Sequence, residues 1–218
     1  MSSASQIRLQ KTAQRTFTMS VRVLQFDRAK RMSWANGIGV TRQILRSPAY
    51  GTRLDWRVSV ADVEQSGAFS RLPGIDRTIV FCEGNRMSLT INGKSVELLR
   101  GIPFEFSGDA ATFCDVSRGS TRNLNIMVNR ATAIAKTTVT MVNGTHTALT
   151  TSAAQLLVAI TTGMATGAGT QSVDLERYDA VYLEKAGQVS ISGSGSLLSI
   201  EFTPARSEPC VTRSKAQV

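Results

Sequence analysis

Two stretches that alternate strictly between inward and outward side chains, joined by a loop rich in glycine and apolar residues, limit this chain to β-structure. From Asp55 to Val63, Trp56, Val58 and Val60 fall on one face and Arg57, Ser59 and Ala61 on the other. From Asp76 to Glu83 the set Asp76, Thr78, Val80 and Cys82 stands opposite Arg77, Ile79, Phe81 and Glu83. Gly67, Pro73 and Gly74 interrupt regular structure between them, while Phe69 and Leu72 give the connection apolar side chains to pack down. A connection of that composition is expected to be anchored.

The rest of the chain repeats this pattern on a shorter scale. Val21 to Phe26 alternates as a strand, Arg28 to Arg31 reads as a solvated basic turn, and Asn36-Gly37 marks a turn before Thr41. Asn92-Gly93 predicts a hairpin between Met87–Ile91 and Val96–Leu99, and further strands are expected at Phe104–Phe106, Thr112–Val116 and Asn123–Val128. Beyond Ala131 the composition shifts to Ala, Thr, Ser and Val. There Asn143-Gly144 predicts a second hairpin between Lys136–Val142 and His146–Thr150, followed by a strand at Leu156–Thr161 and a Gly/Thr-rich loop over Thr162–Gln171. Val181–Glu184, Gln188–Ile191 and Leu197–Phe202 complete the set. Short strands with such turns and no helical period predict an all-β barrel or sandwich. The two runs of strands, before and after about Arg130, fit two barrel halves sharing one core.

A chain of 218 residues can bury a sizeable core, and none of its apolar runs approaches the roughly 20 residues that span a bilayer. No membrane span is expected. The formal charge of +9 invites a nucleic-acid reading, but +6 of it lies in residues 1–31 and +2 in residues 206–218. The body is nearly neutral, which argues against nucleic acid as the partner. We expect 1–18 to be a disordered basic extension and 205–218 a flexible tail. Cys82, Cys114 and Cys210 are odd in number and far apart, as free thiols in a reducing cytosol would be. His146 is the only histidine, which argues against a histidine-held metal and against a Ser-His-Asp triad. Gly37-Ile38-Gly39 lacks the third glycine and βαβ setting of a dinucleotide fingerprint.

Three blocks in order carry a family resemblance: Trp34-Ala35-Asn36-Gly37-Ile38-Gly39-Val40-Thr41-Arg42, the passage from Asp55 to Gly84, and Thr121-Arg122-Asn123-Leu124-Asn125-Ile126-Met127. Together they resemble the HutD/Ves family of cupin-fold proteins, over about Met19 to Phe202. The family pattern reads WKNGxGxTxEI and DxN. This chain departs from it at Ala35, Gln43 and Asn123, each time losing a charge. The resemblance implies an RmlC-like cupin, a compact bicupin of two fused β-barrel halves, at 19–130 and 131–204. For the HutD branch it also implies an association with histidine utilisation and the sensing of a small acidic intermediate, with formylglutamate the leading candidate.

Arg77 is the central candidate for a site. It opens a strand that then turns apolar, so its guanidinium sits near a barrel mouth, where burial demands a partner: an internal acid such as Asp62, Asp76 or Glu83, or a ligand carboxylate gripped by the guanidinium fork. Glu83 lies six residues further, about 20 Å along a regular strand, too far for one small ligand to touch both. The expected ligand-binding set is therefore Arg77 with Asn36, Thr41, Arg57, Ser59, Asn125 and Met127, and Trp34, Trp56 and Phe69 are expected as pocket wall or barrel packing. Neither a catalytic residue, a metal nor a cofactor is expected. The reading is a cytoplasmic binding protein for a small carboxylate-bearing metabolite with a regulatory or homeostatic role. The alternative is a metal-independent cupin isomerase or hydrolase acting on a small acidic metabolite, which would need a paired acid and base in one cavity.

Overall fold

The computed structural model describes residues 21–150, 154–168, 171–184 and 187–205. The expected N-terminal extension and Cys210 lie outside them, as does all of the expected C-terminal tail but Ala205. The chain up to Asn129 forms β1 (Val21–Leu24), β2 (Lys30–Ser33), β3 (Gly39–Ser47), β4 (Trp56–Val63), β5 (Gly67–Ala68), β6 (Ile75–Glu83), β7 (Ser88–Ile91), β8 (Lys94–Glu97), β9 (Pro103–Ser107), β10 (Thr112–Asp115) and β11 (Thr121–Asn129). The remainder forms β12 (Ala133–Thr150), β13 (Ala154–Ala159), β14 (Met164–Ala168), β15 (Gln171–Leu175), β16 (Ala180–Leu183) and β17 (Gly187–Pro204). The architecture is all-β, as the alternation predicts.

Strands β2-β3-β4-β11-β6-β9 make a central antiparallel sheet, and β5-β10-β7-β8 a small sheet facing it. The third sheet runs β1-β16-β13-β17-β14-β15, with β12 also paired to β17. Each face of the central sheet is assigned by the period-two rule. Trp56, Val58, Val60, Val80, Leu124 and Ile126 point to the third sheet and pack on Leu156, Val158, Leu198 and Ile200. On the opposite face Val63, Ile79 and Phe81 pack with Met87, Leu89 and Cys114 of the small sheet. The third sheet has its own interior on its far side, built from Leu157, Val181, Leu183, Ile191 and Leu197. The core is thus layered as three clusters, the largest lying between the central and third sheets.

The connection between β4 and β6 is anchored by its backbone as well as its side chains. Phe69 N donates to Thr112 O at 2.9 Å and Leu72 N to Gly108 O at 2.7 Å, and the Phe69 ring is buried.

Four local expectations need correction. Asn143-Gly144 does not turn the chain: β12 runs through it, and Asn143 and Gly144 pair with Ser194 and Gly193 of β17. The expected strands at 188–191 and 197–202 are accordingly parts of the single strand β17. Thr162–Gln171 is not simply a loop, because β14 and β15 pair there from Met164↔Leu175 to Ala168↔Gln171. Arg28–Arg31 is not a plain turn: a 3-10 turn at Phe26–Arg28 leads directly into β2 at Lys30. In each case cross-strand partners, which local propensity does not register, decide the backbone.

Candidate functional site

The cavity of interest lies on the small-sheet face of the central sheet, and the register of β4, β11 and β6 builds its floor. Arg57 pairs with Met127, and Met127 pairs with Arg77, so the three side chains stand side by side on one face. One step along, Ser59 pairs with Asn125. Thr41 of β3 stands opposite Ala61 at the sheet's near edge. The roof is the turn before β3. Trp34 N donates to Gly39 O at 2.9 Å, Gly37 takes the left-handed conformation (φ +71°), and Trp34 Nε1 donates to Thr41 Oγ1 at 2.7 Å. Gly39 is needed because a Cβ there would stand 3.2 Å from the Trp34 ring and 2.6 Å from Asp62 O. The β4–β6 connection closes the side with Phe69, whose ring meets that of Trp34 edge to face at 6.0 Å.

The cavity, open on one side, has a volume of about 350 Å³, the size of a small-metabolite site. Arg77, Asn36, Thr41, Arg57, Ser59, Asn125 and Met127 all line it, together with Trp34 and Phe69. Ala35, Ala68, Ser70 and Leu72 complete the lining. Trp56 does not reach it. The alternation that aims Arg57 at the cavity turns Trp56 the other way, where it is 5% exposed and stacks on Phe202 at 4.0 Å. Of the two expectations for it, pocket wall is corrected and packing holds: it belongs to the core between the sheets. Glu83 lies at the far end of β6, meeting the Tyr178 hydroxyl and Arg122 and Arg177. Burial alone would raise its pKa, but those hydrogen bonds and charges hold it below the usual carboxylate range. His146 is on β12 and does not line the cavity.

Electrostatically the cavity is one-sided. Neither Arg57 nor Arg77 forms an ion pair among the described residues. The acids proposed above as partners are engaged elsewhere: Asp62 with Arg122, Asp76 with Arg130, Glu83 with Arg122 and Arg177. Arg57 Nη2 donates to Met127 Sδ at 2.9 Å, a weak acceptor, and Arg77 Nη2 reaches Asn125 Oδ1 at 3.4 Å. The Nε atoms of both are buried without a partner. Arg77 is 6% exposed, with Cζ over the Phe69 and Phe106 rings at 4.9 and 4.8 Å. Burial first, and then the charge of Arg57, lower its pKa below the ordinary arginine value to about 10, against a small opposing contribution from Cys114. Burial and the neighbouring Arg46 lower that of Arg57. Two cations facing one cavity with no carboxylate in its lining give it a positive potential that an anion would offset.

Reasoning from sequence missed residues that hold this arrangement from behind. Phe106 of β9 is opposite Arg77 in register, and Arg46 of β3 is opposite Arg57, its guanidinium donating to the carbonyls of Gly51 and Arg53. Asn123, fully buried, donates to Met87 Sδ at 3.8 Å and accepts from Asn125 Nδ2. The strand at Phe104–Phe106 and the motif position Asn123 are visible in the sequence; strand order is what brings them to the site.

A family model described as HutD matches residues 27–199. The chain is 38% identical over 109 residues to an uncharacterized 21.2 kDa protein in the hutC 3' region of Pseudomonas putida, covering 48% of this chain and 57% of that protein. It is 37% identical over 108 residues to protein Ves of Citrobacter koseri, covering 49% of this chain and 56% of that one. The matched stretch thus spans little more than half the length of these curated relatives. Among solved structures, HutD from Pseudomonas fluorescens SBW25 superposes with a TM-score of 0.74 at 26% identity, covering 85% of this chain and 99% of that one. A cupin 2 conserved barrel domain protein from Leptotrichia buccalis, at 9% identity and a TM-score of 0.55 over 84% of this chain and 96% of that one, shares the cupin fold.

Proposed function

We propose, starting from the fact that this chain belongs to the HutD/Ves family of cupin-fold proteins, that its cavity binds a small carboxylate-bearing metabolite without a metal ion and that binding serves regulation rather than turnover. The observation that carries this reading is the pair of half-buried Arg57 and buried Arg77, flanking Met127 on the cavity floor with no carboxylate in the lining to neutralise them. An arginine so placed grips a carboxylate through two parallel N–H···O bonds, and the ligand supplies the counter-charge that the fold withholds. Trp34 and Phe69 supply an apolar wall, and Asn36, Ser59 and Asn125 supply neutral hydrogen-bonding groups for the rest of the molecule. The lining contains no His, Cys, Asp or Glu, the side chains on which isomerisation or hydrolysis by paired acid and base depends, so binding is favoured over catalysis.

The relatives supply the biological setting. One lies in a hutC 3' region and another carries the name HutD, which supports a setting in histidine utilisation; the reading is of a cytoplasmic regulatory or homeostatic sensor. Formylglutamate is the leading candidate ligand. The test is thermal unfolding of the protein with formylglutamate, glutamate and urocanate, each alone and beside a divalent-metal panel and a chelator. A specific acid at about 100 times its dissociation constant should add roughly 2.7 kcal/mol of stability. That gain should vanish in Arg77→Ala. A metal-dependent shift, with none from any acid, would overturn the reading.

A further inference from the structure

The register of the central sheet sets one row of side chains across five strands on the cavity face: Arg46 of β3, Arg57 of β4, Met127 of β11, Arg77 of β6 and Phe106 of β9. The row holds three arginines and no acid. Arg46 and Arg57 are directly opposite, with Cβ atoms of such a pair about 5 Å apart, a placement that costs stability when the charges are alike. Arg46 forms no ion pair among the described residues. Its guanidinium donates to the backbone carbonyls of Gly51 and Arg53. Asp55, tied by its N–H to Ser47 O at 2.8 Å, gives its carboxylate to Arg53 instead. Arg46 is absent from the cavity lining, so a ligand there meets its field and not its side chain. That field reaches Arg57: after burial, it is the second cause that lowers the pKa of Arg57. The strands carrying Arg57 and Arg77 lie two spacings apart, about 10 Å, a span that lets a short diacid set one carboxylate at each.

We propose that Arg46 is the specificity-determining residue that makes this cavity prefer a doubly charged acid to a singly charged one, by adding positive charge behind the arginine that receives the second carboxylate. The inference rests on the reading of the cavity as a carboxylate site. Arg77, deep and buried, takes the carboxylate that both kinds of acid possess. Arg57 is half-buried and backed by Arg46, so a second charge gains most at that end and a neutral group gains little. The attraction acts across a distance, so it weakens as salt rises.

Arg46→Gln tests this beside Arg46→Lys, which keeps the charge and loses the grip on two carbonyls. Binding of glutarate and of glutaramate, its monoamide with nearly the same shape and one charge fewer, would be measured by calorimetry at neutral pH and at low and high salt. Arg46→Gln should weaken glutarate on the order of fivefold and glutaramate about twofold at low salt, so the ratio of the two affinities falls. The fall should shrink at high salt. Arg46→Lys should keep the ratio of the unmodified protein. An unmoved ratio in Arg46→Gln would overturn the proposal, and so would an equal fall in both variants, which would make Arg46 only a staple for the backbone at Gly51 and Arg53. If Arg46→Gln does not fold, Arg46→Met, which keeps the packing of the stem, is read by the same ratio. Failure of the unmodified protein to bind either acid refutes the carboxylate site itself, whereas intact binding with an unmoved ratio refutes the role of Arg46 alone.

Discussion

Replacing Arg77 by methionine should stabilise the protein while destroying its ligand site. The guanidinium is 6% exposed, has no ion pair among the described residues, and has an Nε with no hydrogen-bond partner. Lowering of its pKa from the ordinary arginine value to about 10 corresponds to about 3 kcal/mol of strain on the charged folded state. Against this stand the contacts with the Phe69 and Phe106 rings, worth about 1 kcal/mol each, which a methionine sulfur recovers in part. The net expectation for Arg77→Met is a gain of about 1 to 2 kcal/mol in urea unfolding at pH 7. The sign of the pH dependence is specific. Because burial lowers its folded-state pKa below the unfolded one, the penalty is present in full at neutral pH; as pH rises through the lowered value of about 10, stability of the parent rises and the advantage of the variant shrinks. Subtracting the two stability curves removes contributions from the other titrating groups. A variant less stable than the parent by 1 kcal/mol or more at pH 7 would refute the view that Arg77 is an uncompensated buried charge held for a ligand.

Three further outcomes follow from the packing. Trp56→Ala removes a ring stacked on Phe202 and should lower unfolding free energy by about 3–5 kcal/mol in urea melts, without altering the lining of the cavity. Gly193→Ala should destabilise by about 2 kcal/mol or more in the same assay, because φ is +124° and a Cβ would stand 2.1 Å from Gly163 O. In a Cys210→Ser background neither remaining thiol should react with a thiol reagent at pH 8 until the protein is unfolded. Cys82 and Cys114 are buried, and desolvation above all pushes their pKa values up to about 11 and about 12.

Much of the site is written in the period-two alternation of two strands. Once Asp55–Val63 and Asp76–Glu83 are read as strands, Arg57, Ser59 and Arg77 share one kind of face, and the same rule excludes Trp56 from it. What the alternation cannot provide is strand order. That β11 lies between β4 and β6, and so sets Met127 between two arginines and Asn123 behind them, depends on pairings some 50 to 70 residues apart. The second half is harder to read for a different reason. Asn143-Gly144 has the chemistry of a hairpin turn, yet Gly144 faces Gly193 across two long paired strands, both with positive φ, so the glycines there relax the pair instead of reversing it. Thr- and Gly-rich segments such as Met164–Ala168 become strands because β17 is beside them, a tertiary cause that composition does not carry.

The strand nearest the start of the described chain, β1, pairs with none of the strands that follow it directly; Val21–Leu24 hydrogen bonds to β16, from Leu183 back to Ala180. During synthesis, therefore, these residues leave the ribosome well before the segment that will receive them has been made. At translation rates of about 5–20 residues per second the interval is on the order of 10 s. Through that time a short strand with open backbone hydrogen-bonding groups has no native partner and is open to chaperones or to a neighbouring nascent chain. Docking of β1 can follow only after β16 has been made, so the earliest strand of the described chain waits for one of the latest.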